Sequence, residues 1–194
     1  MKFIFATHNQ NKVNEVADIL KDLDCSIHSL RDIGFEEDIE EHGLTLEENA
    51  WIKADTIHGK FDGNVIAEDT GLEVMALKGA PGVYSARYAG PQKNSEDNID
   101  LLLENLKPGM DRSAQFRTVI AVWLEGQKHQ FEGVVKGVIS NQRSGKGGFG
   151  YDPVFIPDGY DRSFGEISAE IKNRISHRAK AFDRFQEFIS SYTL

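Results

Sequence analysis

The feature that most constrains this chain is the segment Val65-Ile66-Ala67-Glu68-Asp69-Thr70-Gly71-Leu72. Its three apolar residues predict a short buried strand, and Thr70-Gly71 predicts the turn that ends it. Glu68 and Asp69 would then lie at the carboxyl edge of a strand, where open α/β sheets bind their ligands. Because side chains alternate along a strand, only one of the two carboxylates can point straight into such a crevice. An acidic turn without a ligand is the alternative interpretation.

Length, charge and cysteine content exclude several classes of protein. The chain has 194 residues and no convincing internal boundary, so we expect one domain over residues 1–194. No apolar run approaches the roughly 20 residues of a membrane span. The lone Cys25 cannot form an internal disulfide, which fits a reducing cytosol. A net charge of −9 argues against a general nucleic-acid surface. We therefore expect a cytoplasmic protein with neither a nucleic-acid nor a membrane partner.

The N-terminal segment predicts a strand, a loop and a helix. Residues 2–6 are apolar, and apolar residues recur at helical spacing from Val13 to Leu23. The loop between these elements contains Thr7, His8, Asn9, Gln10, Asn11 and Lys12. A strand-loop-helix junction offers unpaired backbone N–H groups and the positive end of a helix dipole, so it can hold an anion. Simple capping of the helix is the alternative, because Asn and Thr also serve that role.

A second acidic region precedes another predicted helix. Glu40 and Glu41 lie just ahead of Thr45-Leu46-Glu47-Glu48, which has the pattern of a capping box. Carboxylates at this place either bind a metal ion or merely complement the helix dipole. Lys53, two turns into the helix, is the nearest local cation.

The middle of the chain is richer in β-structure. Residues 79–90 predict a structured loop with a helical turn, and a helix follows before Pro108-Gly109. Residues 114–124 and 128–139 alternate in the manner of strands and predict a hairpin. Trp123 has the opposite parity to the apolar residues of its strand, so both faces of the hairpin should be at least partly covered.

Two segments near the C-terminus favour ligand binding. Residues 145–155 place four glycines around Phe149, which lets the backbone approach a ligand while the ring stacks on a nucleobase. A mobile glycine loop without a ligand is equally compatible. His177 and Arg178 fall in the first turn of the last predicted helix, where positive charge opposes the dipole, and Lys172 is a nearby cation. The aromatic stripe that follows predicts core packing.

Together these segments resemble the inosine/xanthosine triphosphate pyrophosphatase family over nearly the whole chain. The matching motifs are T-x-N-x-x-K at Thr7–Lys12, E-N-A-x-x-K-A at Glu48–Ala54, E-D-T-G-L at Glu68–Leu72, PGVYSARYAG at Pro81–Gly90, GGFGYDPVF at Gly147–Phe155 and SHR at Ser176–Arg178. Two departures are minor: His8 stands where many relatives have glycine, and Glu68 where many have aspartate. Asp69 keeps the second acidic position.

The resemblance implies an α/β fold with an elongated mixed β-sheet flanked by helices, in two lobes with the active-site cleft between them. It implies a Mg²⁺-dependent homodimer that hydrolyses ITP, dITP or XTP to the monophosphate and pyrophosphate. Asp69 matches the general base and a metal ligand. Glu40 matches a second metal ligand, with Glu41 as the alternative. The implied substrate-binding residues are Thr7, His8, Asn9, Gln10, Asn11, Lys12, Lys53, Thr70, Phe149, Gly150, Tyr151, Asp152, Lys172, His177 and Arg178.

Two other functions fit parts of the same pattern. One is a related pyrophosphatase that acts on modified pyrimidine or standard deoxynucleoside triphosphates. The other is a nucleotide-sensing protein without turnover, although a binder gains little from placing carboxylates near a triphosphate.

Overall fold

The computed structural model of the protein describes residues 1–192, which form an α/β fold. The strands are β1 (Lys2–Phe5), β2 (Ser26–Ser29), β3 (Asn64–Val74), β4 (Pro81–Gly82), β5 (Ser113–Leu124), β6 (Gln127–Ile139) and β7 (Phe155–Pro157). The α-helices are α1 (Gln10–Ile19), α2 (Leu46–His58), α3 (Ser95–Asn105), α4 (Ala169–Ile175) and α5 (His177–Tyr192).

The strands form one mixed sheet. Its order is β2-β1-β3-β5-β6-β7, and β4 pairs with β3 outside that order. β1 runs parallel to both β2 and β3, whereas β4 is antiparallel to β3 and β7 is antiparallel to β6. The prediction of a mixed sheet with helices is therefore confirmed.

The first of two compact units contains Met1–Asp69, Thr118–Gly133 and the chain from Arg178 onward. Its core joins β1, α1, β5 and α5. The rings of Phe3 and Phe185 meet edge to face at 5.5 Å, and Phe5 meets Phe182 in the same way. The aromatic stripe of α5 is thus core, as the sequence pattern predicts.

The second unit contains Thr70–Arg117 and Val134–His177. Its core includes Leu72 from β3, Ile99 from α3, and the packed rings of Phe116, Phe155 and Phe164. Each unit therefore has its own apolar core. The expectation of one domain over residues 1–194 stays a prediction.

The predicted turn at Thr70-Gly71 is wrong, because β3 continues through both residues to Val74. Leu72 pairs with Gly82 of β4, and a Cβ atom on Gly71 would lie 2.7 Å from the carbonyl oxygen of Gly82. Gly71 therefore permits the close approach of a neighbouring strand rather than a turn. Consequently Glu68 and Asp69 lie within a strand and not at its carboxyl edge.

Other local predictions are confirmed. The Thr45 Oγ1 atom accepts from the Glu48 amide at 3.1 Å, and Glu48 Oε2 accepts from the Thr45 amide at 3.2 Å, which completes the capping box of α2. β5 and β6 form the hairpin, joined through Glu125 and Gly126 at positive φ. Residues of both parities in β5 are buried, so both of its faces are covered.

Cys25 is a partly buried free thiol that packs against the core of the first unit. Burial raises the pKa of this thiol, which makes it a poor nucleophile near neutral pH. Across residues 1–192, the structure has no helix whose length and apolar character would let it span a membrane.

Candidate active site

Glu68 and Asp69 point to opposite sides of β3 and join two different clusters of charge. The Glu68 side chain is 0% exposed and contacts α1 and α5. The Asp69 side chain is 10% exposed and contacts α2. Thr70 follows as the first residue of the second unit and is half-buried. Asp69 is therefore the carboxylate of the pair that solvent reaches.

Asp69 is held by two residues on one face of α2. The Lys53 ammonium lies 2.9 Å from Asp69 Oδ1, and the Asn49 side-chain amide lies 3.4 Å from Asp69 Oδ2. Asn49 and Lys53 are one helical turn apart, so both reach the same strand. The side-chain oxygen Oδ1 of Asn49 also accepts from the Gly43 backbone amide at 2.8 Å, which ties the acidic loop to the helix. Sequence reasoning did not assign Asn49, although its spacing from Lys53 was a usable signal.

Glu41 completes this cluster, with its carboxylate 3.1 Å from the same Lys53 ammonium. The neighbouring Glu40 is exposed. The structure brings Glu41 to Lys53 and Asp69 and leaves Glu40 exposed, so this geometry favours the alternative, Glu41, while the expected assignment of Glu40 as a metal ligand stays a prediction. An alternating extended loop can turn only one of two adjacent side chains toward the strand.

The ionisation of this cluster follows from its burial and from the ammonium groups of Lys53 and Lys12. Burial raises the pKa of Asp69 above its ordinary value, against the opposing effects of Lys53 and Lys12. Burial alone would also raise the pKa of Glu41, but the Lys53 ammonium outweighs it and holds that pKa low. Two carboxylates thus share one ammonium, which leaves a net negative site with oxygen ligands.

Glu68 belongs to a buried ion-pair network. Arg178 donates to it from Nε at 2.9 Å and from Nη2 at 2.7 Å, and the Lys12 ammonium lies 3.2 Å away. Arg178 also pairs with Glu15 of α1. Burial would raise the pKa of Glu68, but Arg178 and Lys12 lower it to about 2. Glu68 is therefore a permanent anion near neutral pH and does not exchange protons.

The cation at the start of α5 has structural partners that sequence reasoning missed. Arg178 is 1% exposed and neutralises Glu68, so its position in the first turn does not by itself indicate ligand binding. Glu15, its other partner, lies three residues after Lys12 and shares that helix face. Truncating Arg178 would leave a buried carboxylate without its main partner, which is strongly destabilising.

The predicted phosphate loop is also a helix cap. Asn9 Oδ1 accepts from the amides of Asn11 and Lys12, and Thr7 Oγ1 accepts from the Asn9 amide at 3.1 Å. The capping interpretation therefore holds for Asn9. His8 does not take part in the cap, because its Nε2 atom lies 2.9 Å from the Glu37 carbonyl oxygen. Of the remaining loop residues, Asn11 is exposed and Gln10 donates to Asn14 at 2.9 Å.

In the second unit, the glycine-rich segment is built around Asp152. Asp152 Oδ2 accepts from the Phe149 amide at 2.7 Å and from the Lys172 ammonium at 2.5 Å. That ammonium also lies 4.7 Å from the centre of the Phe149 ring. Gly148 has φ +71°, and a Cβ atom there would lie 2.0 Å from Asp152 Oδ2, so glycine is required. Gly150 is likewise at positive φ.

Tyr151 and His177 are packed within the same unit. Tyr151 is 4% exposed and donates to the Ser85 carbonyl oxygen at 2.9 Å, and burial raises the pKa of its phenol. His177 is 3% exposed and stacks on Phe116 at 4.6 Å. The structure thus gathers Phe149, Asp152 and Lys172 into one aromatic and charged cluster.

Comparison with known proteins finds relatives that match this chain over nearly its whole length. A sequence model of the Ham1 family matches residues 3–188. The dITP/XTP pyrophosphatase of Christiangramia forsetii is 50% identical over 190 residues, which cover 98% of this chain and 100% of that protein. The dITP/XTP pyrophosphatase of Bacillus subtilis is 44% identical over 97% of this chain and 96% of its own. The structure of the Staphylococcus aureus Ham1 protein has a TM-score of 0.89 at 39% identity and covers 99% of this chain and 100% of that one.

Proposed function

The chain belongs to the Ham1 family, and from that premise we propose that it hydrolyses dITP, XTP and ITP to the nucleoside monophosphate and pyrophosphate with Mg²⁺. The observation that carries this proposal is the Asp69–Lys53–Glu41 cluster, in which a nearly buried and a half-buried carboxylate share one ammonium. Relatives named as dITP/XTP pyrophosphatases over their full length support the substrate class.

Glu41 and Asp69 would hold the Mg²⁺ ion. Their oxygen donors suit a hard cation, and the surplus negative charge of the cluster favours one. Residues 1–192 contain no group of three or more His, Cys, Asp or Glu residues suited to a complete metal site. A two-carboxylate site still fits, because Mg²⁺ keeps several waters and takes phosphate oxygens from its substrate. When bound, the ion would neutralise charge on the phosphates.

Asp69 would act as the general base. Its raised pKa makes its carboxylate a better proton acceptor than an exposed aspartate. It orients a water molecule toward the α-phosphorus and takes its proton. Lys53 holds the carboxylate in place, and Lys53 and Lys12 offset the charge of the pyrophosphate as it leaves.

The cluster in the second unit would recognise the base. Phe149 offers a ring for stacking, while Lys172 and His177 offer donors to the 6-oxo group of hypoxanthine or xanthine. Adenine presents an amino group, itself a donor, at that position. A protein donor would then face a second donor without an acceptor, at a cost of about 1–3 kcal/mol. Arg178 remains a proposed substrate-binding residue, although its guanidinium also pairs with the Glu68 carboxylate. A homodimer is proposed on the family resemblance alone.

A substrate panel tests the proposed function. We expect kcat/KM for dITP and XTP to exceed that for dATP, dGTP, dCTP and dTTP by about a hundredfold, since a polar pocket rejects the wrong base through unpaired groups. Pyrophosphate release with Mg²⁺ is the measurement. Comparable rates on the standard nucleotides, or tight binding of dITP without pyrophosphate release, would exclude it.

A further inference from the structure

Asn49 is a polar residue in a place that neither helix propensity nor burial favours. Its side chain is 0% exposed, near the start of α2, although Asn prefers caps and turns to helix interiors and buried sites favour apolar residues. The cap of α2 is already completed by Thr45 and Glu48. The polar atoms of the Asn49 side chain bond outside the helix, to Gly43 and Asp69. Its role is therefore to connect these two partners.

The orientation of the Asn49 side-chain amide follows from its partners. The backbone N–H of Gly43 can only donate, so it faces the amide oxygen, Oδ1, at 2.8 Å. The amide nitrogen, Nδ2, then donates to Asp69 Oδ2 at 3.4 Å. An amide is needed for this pair of contacts, because an apolar side chain would serve neither partner and a carboxylate would serve only Gly43.

Asn49 fixes the rotation of the Asp69 carboxylate. The terminal torsion of an aspartate is broad, so a donor on one oxygen alone leaves the carboxylate plane free to turn. Lys53 donates to Asp69 Oδ1 at 2.9 Å, and Asn49 donates to the other oxygen, Oδ2. With a donor on each oxygen, the carboxylate plane has one preferred orientation. Because Asn49 is neutral, it directs the carboxylate without changing the charge of the site.

Asn49 also fixes the segment that carries Glu41. Gly43 lies two residues after Glu41. A Cβ atom on Gly43 would lie 2.6 Å from Asn49 Oδ1 and 2.7 Å from the Glu48 Cβ atom, so the backbone of this segment packs directly on α2. Glycine permits this close approach, and the hydrogen bond to Asn49 holds it. One side chain thus sets the position of both carboxylates that share the Lys53 ammonium.

We propose that Asn49 is a positioning residue for the hydrolysis, which acts through Asp69 and does not touch the substrate. It aligns the Asp69 carboxylate with the attacking water and holds the Glu41 segment against the same turn of α2. The inference rests on the proposed function for the reaction that Asp69 performs. Other residues are proposed to bind the phosphates and the base, so the loss of Asn49 should lower kcat and leave KM nearly unchanged.

Asn49→Ala tests this inference by removing both contacts. We expect kcat for dITP at saturating Mg²⁺ to fall by about 10- to 100-fold, as is usual when the hydrogen-bond partner of such a group is lost. KM for dITP should stay within about twofold of the wild-type value. The Kd for Mg²⁺ alone, from calorimetric titration of the full-length protein, should rise about tenfold, because the two carboxylates are no longer held together.

Asn49→Asp separates the two contacts, and it decides the question if the alanine variant does not fold. The new carboxylate can still accept from the Gly43 amide, so the Glu41 segment should stay on α2. It offers no donor to Asp69 and places a second anion at that contact. We expect kcat for dITP to fall at least about tenfold in this variant as well.

Asn64→Ala is the matched control, because Asn64 makes the same pair of contacts elsewhere in the same unit. Its Oδ1 atom accepts from the Glu125 amide at 2.9 Å, and its Nδ2 atom donates to the Lys2 carbonyl oxygen at 3.5 Å. It lies at the start of β3, the strand that carries Asp69. We expect kcat, KM and the Kd for Mg²⁺ to stay within about twofold of the wild-type values. Thermal unfolding shows that each variant is folded at the assay temperature.

The outcomes separate this inference from the proposed function. A loss of kcat in both Asn49 variants, with Asn64→Ala unchanged, supports the inference. Wild-type kcat in Asn49→Asp, or a raised KM with kcat retained in Asn49→Ala, overturns it and leaves the proposed function standing. An equal loss in Asn64→Ala would reduce the effect to a general weakening of the unit and would also overturn it. If the wild type did not hydrolyse dITP, the proposed function would fail, and the Kd for Mg²⁺ would still decide whether Asn49 holds the two carboxylates.

Discussion

We expect Asp69→Asn to lower kcat for dITP by about a thousandfold, the usual contribution of a positioned general base. Asparagine keeps the shape of the side chain but cannot accept the proton of the attacking water. Lys53 retains Glu41 as an ionised partner at 3.1 Å, so the variant should remain folded. The measurement is steady-state kcat at saturating Mg²⁺, together with thermal unfolding of both proteins.

Asp62→Asn provides the matched control for this variant. Asp62 is exposed and lies in the loop before β3, so the same chemical change there should leave kcat within about twofold, as is usual for surface substitutions. If Asp69→Asn kept more than about a tenth of the wild-type kcat, Asp69 would not be the base.

Glu41→Gln should lower kcat/KM about a hundredfold and raise the Mg²⁺ concentration needed for half-maximal rate, because a neutral amide binds Mg²⁺ poorly. The amide oxygen can still accept from Lys53, so the loop should keep its place on α2. Mg²⁺ titrations of the initial rate measure both effects.

Glu40→Gln is the built-in comparison, since it makes the same change one residue away on an exposed side chain. It should behave as the wild type. A larger loss in Glu40→Gln than in Glu41→Gln would support Glu40 as the metal ligand and contradict the proposed role of Glu41.

Sequence reasoning was reliable where one local interaction decides the structure. The capping box of α2 needs only Thr45 and Glu48, and the β5–β6 hairpin needs only alternation and the Glu125-Gly126 turn. The apolar stripe of α5 likewise predicted core packing, because its spacing leaves one face to bury. Each of these signals lies within a few residues of the structure it determines.

It failed where a partner distant in the chain decides the role of a residue. Gly71 was predicted to mark a turn, but glycine is needed there because the backbone of Gly82 in another strand lies too close for a side chain. Arg178 appeared to be a misplaced cation, but its partners Glu68 and Glu15 are 110 and 163 residues away. Nothing local distinguishes Glu41 from Glu40, and only the structure shows that Glu41 is the one that reaches Lys53.

The most direct test of the account is hydrolysis of dITP in water enriched in oxygen-18, with mass spectrometry of the products. Attack on the α-phosphorus by the water that Asp69 orients predicts one labelled oxygen in dIMP and unlabelled pyrophosphate. Label in the pyrophosphate would place the attack at the β-phosphorus, and dIDP with phosphate as products would place it at the γ-phosphorus. Either result would contradict the proposed role of the Asp69–Lys53–Glu41 cluster.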